Sequence, residues 1–190
     1  MQYLWRVLRS ARKSGRVNFP AYCPPGDGDR MVFPKIAVLP PPEGTSGLAA
    51  AQGIFRNNKD IVVREDADGI IRITIGHVSE AILHTPIARL AFDPTSQYNE
   101  VFAIASIEFS DEVQKATSDL KLRAPVKVYN YPVVEPNERL PHLPALVLNL
   151  TMDQALNLVA RTFEGIVLYG ACENSNLYDV TYWYGYVPPT

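Results

Sequence analysis

Two stretches of this chain read in the same order of helix, strand, tight turn and strand, and that recurrence limits the fold more than any other feature. Residues 145–150 form an apolar run, and Thr151 follows with Gln154 three residues on. This is the spacing of a capping box, in which each side chain satisfies a backbone N–H that a helix start leaves orphaned. Met152, Ala155, Leu156, Val159, Ala160 and Phe163 give that helix one buried face, and Gly165 ends it. Residues 166–172 read as a strand, 173–176 as a turn and 177–184 as a second strand. The unit is β-α-β-β.

The same order appears earlier. Residues 32–39 read as a strand, 40–44 as a stiff proline connection, 46–57 as a helix opened by Thr45 or Ser46, and 60–65 and 70–75 as two strands. Leu48, Ala51, Ile54 and Phe55 make the inner face of that helix, and Asp68-Gly69 is a strong hairpin signal. The N-terminus fits as a third copy without its first strand: helix 2–13, strand 17–22, turn 24–29 and strand 31–38. Between the units the chain is mostly helical. Val78, Ala81, Ile82 and Thr85 suit a short helix that Pro86 ends, residues 87–92 are either a strand or one more helical turn, and 100–109 and 110–120 read as two helices, the second capped by Ser110.

The expected fold class is therefore α+β, built of repeated helix-on-antiparallel-hairpin units with a helical insert. Residues 131–144 contain Pro132, Pro136, Pro141 and Pro144, the composition of a semi-rigid linker. This divides the chain into an N-terminal region 1–130, the linker 131–144 and a C-terminal unit 145–190, packed on the first region or standing apart. Sixteen prolines in 190 residues, about 8% against a usual 5% or so, underline how often the chain is stiffened.

Charge narrows the partners. Eighteen basic and twenty acidic side chains give a net charge of -2, too balanced for a chain that coats nucleic acid or an anionic membrane. The one asymmetry is the start, where Arg6, Arg9, Arg12, Lys13 and Arg16 stand without an acid. Leu4, Val7, Leu8 and Ala11 form an apolar stripe beside them, which suits the first helix of a folded domain, a membrane-surface helix or a transit-type presequence. The first reading is preferred because Gly15 and the alternating Val17, Phe19 and Ala21 follow at once. The basic helix 2–13 leaves nucleic-acid or membrane contact as a third functional reading. No apolar stretch approaches the roughly 20 residues that span a bilayer.

Cys23 and Cys172 each end a strand that follows a helix. In an oxidising compartment they are expected to form a disulfide, and in a reducing one two buried thiols. No Cys/His spacing suggests zinc or redox chemistry, and no cofactor is expected. His77, Glu80 and His84 would share a face if one helix carried them, but i to i+7 is about 10.5 Å of rise, too far for one metal ion. His142 lies in the linker, and a Cys172, His142 and Glu173 nucleophile set has nothing to bring it together. From 178 to 186 aromatic residues appear on both sides of a strand, with Tyr178, Tyr182, Tyr184 and Tyr186 opposite Trp183. One face covers a helix, and the other is either an open binding face or buried by the helical insert.

One resemblance accompanies these readings. Residues 146–168, LVLNLTMDQALNLVARTFEGIVL, resemble the short N-terminal module of bacterial secretins and TonB-dependent receptors. That module has a strand, a Thr- or Ser-initiated helix with an Ala-Leu pair in its core, then Gly and a strand. Thr151, Ala155-Leu156 and Gly165 fill those places, and the likeness extends over about 145–184. It implies a non-catalytic envelope module that docks partner proteins and carries no cofactor; the helical insert has no counterpart there. The leading functional expectation is thus a cell-envelope or exported protein-interaction module, periplasmic or secreted, with its signal peptide outside this chain. Its partner would be another protein or an envelope component. The alternative is a small cytoplasmic enzyme, hydrolase-like, using Cys172 or the face of His77, Glu80 and His84.

Overall fold

The structure, a computed structural model, describes residues 1–25, 31–124, 140–172 and 174–183. It is a mixed α+β fold around one five-stranded sheet with helices on both faces. In chain order the helices are α1 (Gln2–Ser10), α2 (Gly47–Phe55), the single turn α3 (Pro94–Gln97), α4 (Glu100–Glu108), α5 (Asp111–Asp119) and α6 (Met152–Thr162). The strands are β1 (Gly15–Pro20), β2 (Ile61–Glu65), β3 (Ile71–Ile75), β4 (Pro86–Ala91), β5 (Leu146–Thr151), β6 (Ile166–Cys172) and β7 (Leu177–Trp183).

The sheet order is β2-β3-β1-β6-β7. The hairpins β2–β3 and β6–β7 are antiparallel, and each lays its inner strand parallel to β1 at the centre. Asp68-Gly69 does turn the first hairpin: Gly69 has φ 77°, a conformation open to glycine and strained for other residues. The helix-then-hairpin order is present at both places, α2-β2-β3 and α6-β6-β7. The strands expected to precede those helices do not join the sheet. Residues 32–39 form no strand beyond a single bridge, Tyr22 to Val32. Pro34 and the Pro40-Pro41-Pro42 run lack the N–H groups a ladder needs. Instead the segment is strapped to α2, Leu39 N donating to Ile54 O at 3.0 Å and Asn58 Nδ2 to Ala37 O at 2.8 Å. A Cβ at Gly53 would strike Pro42, so this glycine is what allows the prolines to lie against the helix.

The strand before α6 also goes elsewhere. β5 pairs with β4 in a separate two-stranded sheet, Ile87 opposite Leu150 and Arg89 opposite Leu148. Residues 87–92 are therefore strand rather than helix. The helix expected around Val78 to Thr85 shrinks to a 3-10 turn, Ala81–His84.

Side-chain alternation assigns the two faces. Val17 and Phe19 of β1, Ile71 and Ile73 of β3, and Ile166 and Leu168 of β6 meet Leu4, Trp5 and Leu8 of α1 and Ala51, Ile54 and Phe55 of α2. The apolar stripe of α1 is consumed in this core, as the folded-domain reading expected. On the opposite face Val167, Tyr169, Tyr178 and Val180 meet α4 and α6, whose inner residues include Ala103, Ile107, Ala155, Leu156 and Val159. The capping box is formed as expected, Gln154 N donating to Thr151 Oγ1 at 3.2 Å and Thr151 N to Gln154 Oε1 at 2.8 Å. Ser46 and Ser110 occupy their N-cap positions without a side-chain cap bond. The linker prolines Pro132 and Pro136, and the tip of the 24–29 turn, lie outside the described residues. No helix among the described residues is long and apolar enough to cross a membrane.

Candidate functional site

Under the start of α6, β1 and β3 carry charge rather than carbon. Arg16 and Arg72 stand side by side on parallel β1 and β3 and are both buried, Arg16 completely. Buried guanidinia need carboxylates, and the N-terminal turn of α6 delivers one. Asp153 takes a two-pronged contact from Arg72, Nη1 to Oδ1 at 2.9 Å and Nη2 to Oδ2 at 2.6 Å, while Arg72 Nε donates to Asp66 Oδ2 at 2.7 Å. Arg16 donates from Nη1 to the Asp153 carbonyl and to Asn157 Oδ1, each at 3.2 Å, and its Nη2 lies 3.2 Å from Asp153 Oδ1 without the alignment of a hydrogen bond.

Burial pulls the Arg16 guanidinium down to about 10, so it stays protonated at neutral pH, with Asp153 opposing the shift. For Arg72 burial acts in the same sense, but hydrogen bonds to Asp153 and Asp66 outweigh it and hold the group above its ordinary value. Burial likewise pushes the Asp153 carboxyl up, and the hydrogen bonds from Arg72 with the charges of both arginines hold it net below the carboxylate range. Every partner here is internal, and the network pins α6 to the sheet; it is structural.

The other face holds an open apolar groove of about 510 Å³. Its floor is Val17 and Phe19 of β1, Ile75 of β3 and Leu168 of β6; α1 supplies Tyr3 and Leu4, and the strapped segment supplies Phe33, Ile36 and Val38. Trp183 and Thr181, at the end of β7, close one side. The groove exists because the 31–40 segment crosses the sheet face without completing it: Phe33 stacks at 5.2 Å on Phe19 yet stays 56% exposed.

The aromatic strand residues separate. Trp183, 38% exposed, faces the groove with the α1 and α2 side of the sheet. Tyr178 is wholly buried, its hydroxyl 3.3 Å from Thr117 Oγ1, because α4 and α5 cover the face that carries it. Tyr182 borders the groove, but its hydroxyl donates to Phe163 O at 2.6 Å and its ring meets Phe163 edge-on. Burial, with the charges of Glu100 and Glu164, pushes that hydroxyl's pKa up. Tyr184, Tyr186 and Glu173 lie outside the described residues. The groove residues Phe33, Ile36 and Phe55 escaped sequence reading, since the first two sat in an assumed strand and the third in an assumed helix core.

Cys23 and Cys172 are bonded to each other, their Cα atoms 5.9 Å apart. Cys172 therefore offers no thiol, which removes the Cys172, His142 and Glu173 nucleophile set. His142 instead lies against Tyr98, ring centroids 5.2 Å apart. His77, Glu80 and His84 do not share a helix face: His77 is in irregular chain, Glu80 accepts from Asn18 Nδ2 at 2.7 Å, and His84 ends the 3-10 turn. Among the described residues no three His, Cys, Asp or Glu side chains converge as a metal site would require. Comparison of the chain with protein-family models, curated proteins and solved structures finds no match in any of the three.

Proposed function

We propose that this protein is a non-catalytic interaction module of an oxidising compartment, periplasmic or secreted, which binds an apolar segment of another protein in the groove between α1 and the 31–40 strap. The observation that carries this reading is the groove itself, in which Phe33, Tyr3 and Trp183 rim an apolar floor. Concave apolar surface rimmed by flat amphipathic rings is the form in which protein interfaces bury their anchors. The disulfide supports the compartment, because such bonds persist where thiols are not kept reduced. The likeness of residues 146–168 to the N-terminal module of secretins and TonB-dependent receptors supports a docking role in the cell envelope. The enzyme alternative loses its cysteine nucleophile to the disulfide.

The test uses the two tryptophans, Trp5 in the core and Trp183 at the groove. With Trp5→Phe, Trp183 becomes the only indole and reports groove occupancy. Selection of a random peptide library on the oxidised protein is expected to enrich peptides with aromatic or aliphatic anchors that blue-shift this emission, and Phe33→Asp is expected to weaken them by at least about tenfold, roughly 1.4 kcal/mol. A library that yields no ligand, or ligands indifferent to Phe33→Asp, overturns the reading.

A further inference from the structure

A second cavity lies at the end of the sheet where β1, β3 and β6 all begin. Because these three strands are parallel neighbours, the segments leading into them converge there: α1 and its loop enter β1, the tip of the β2–β3 hairpin enters β3, and the C-terminal end of α6 enters β6. The cavity measures about 520 Å³, within the range of small-molecule sites. Its lining includes Arg9, Arg12, Lys13 and Arg161, together with the carboxylates Asp68 and Glu164.

The cations are not equivalent. Lys13 is engaged with Glu65 at 2.5 Å, and Arg9 lies over the Trp5 ring at 4.9 Å. Arg12 and Arg161 are exposed and form no ion pair among the described residues, although two acids share their cavity. A cation near a helix C-terminus offsets the helix dipole, which accounts for Arg9 and Arg161 in their last turns. It does not account for Arg12, which sits past the end of α1 at φ 53°, where glycine or asparagine is the usual residue. Two guanidinia that line one concavity from separate segments suit a phosphate group, which accepts from both forks. The neighbouring carboxylates suit hydroxyl groups, which donate to them.

We propose that this cavity binds a small phosphorylated polyol, its phosphate on Arg12 and Arg161 and its hydroxyls toward Asp68 and Glu164. The site shares no lining residue with the apolar groove and does not depend on the docking role. Three probes separate the contributions when titrated calorimetrically into the full oxidised chain at low ionic strength: inorganic phosphate, glycerol 3-phosphate and glycerol. Glycerol 3-phosphate is expected to bind at least about tenfold more tightly than inorganic phosphate, with no heat from glycerol. Combined Arg12→Ala and Arg161→Ala substitution is expected to weaken glycerol 3-phosphate by at least about tenfold, and Arg6→Ala, on α1 but outside the cavity, to leave it unchanged. Amide chemical shifts of Ser14 and Gly69 in the unsubstituted protein give a second readout that needs no variant, and both are expected to move with glycerol 3-phosphate. The proposal is overturned by absence of binding at millimolar glycerol 3-phosphate, by equal affinity for inorganic phosphate, by equal loss in Arg6→Ala, or by saturating binding that leaves those two amides unmoved.

Discussion

At the scale of single residues the buried charges decide most. Arg72 serves two carboxylates at once, Asp66 and Asp153, and removing it leaves Asp153 only the unaligned contact with buried Arg16 and Asp66 only the exposed Arg64. Arg72→Met is therefore expected to cost about 3–5 kcal/mol of unfolding free energy, measured by urea titration. The exposed pair of Arg64 with Asp66, at 3.4 Å, is screened by water, so Arg64→Met is expected to cost less than about 1 kcal/mol. Equal losses would mean that burial is not what makes the network matter. The same network sets the response to acid. Asp153 is held below its unfolded value, so its contribution is complete above the unfolded carboxylate range and is lost as the pH falls through the folded value. Stability is expected to decline below about pH 4, and Asp153→Asn to remove that part of the decline. Little of this was legible beforehand. Arg16 read as one more cation of a basic N-terminal run, although its alternation with Val17, Asn18 and Phe19 already places it on one face of a strand. That the face would be buried depends on α6, contributed by residues far away in sequence.

At the scale of elements, legibility followed how local the determining contacts are. α6 was readable because its start signal is contained in Thr151 and Gln154, and both bonds of the box are formed. Thr151→Ala removes one of them and is expected to lower stability by about 1 kcal/mol; a loss near zero in urea unfolding would show that tertiary packing alone fixes the helix start. The β2–β3 hairpin was readable for a similar reason, its turn chemistry lying between its own strands. The first strands of the two units were not. Residues 32–39 carry enough apolar side chains to imitate a strand, but their prolines forbid a ladder, and the same side chains became a groove wall. β5 forms as a strand, yet its partner β4 lies across the helical insert, a choice that no periodicity within either segment encodes. The groove follows from the missing ladder, since a segment that crosses a sheet face without pairing leaves part of that face uncovered. Of the aromatic strand, alternation correctly divided Trp183 from Tyr178 and Tyr182, but which face stays open is decided by α4 and α5.

At the scale of the whole molecule, the first strand and the last two described strands are built into one sheet. β6 and β7 are the last described strands, yet β6 pairs with β1 over six residues, from Gly15 opposite Ile166 to Pro20 opposite Ala171. The disulfide extends that junction past the last β1–β6 pair, with Cys23, Cys172 and Leu177 in a small cluster of their own and Asn174 Nδ2 donating to Cys23 O at 2.8 Å. Its sequence separation is 149 residues, so in the entropic account it removes close to the largest loop freedom this chain could hold, about 4–5 kcal/mol. The folded state does not need the bond to bring the strands together, because the β1–β6 ladder and the cores on both faces already do so. Reduction is therefore expected to leave a folded protein with a lower urea midpoint, by the equivalent of about 2–5 kcal/mol, and Cys23→Ser with Cys172→Ser to reproduce the shift without reductant. Loss of the sheet signal in far-ultraviolet circular dichroism on reduction would show that the ladder cannot hold the junction alone. An unchanged midpoint would show that the unfolded chain gains nothing when its ends are released, and would remove the stabilising role assigned to the bond.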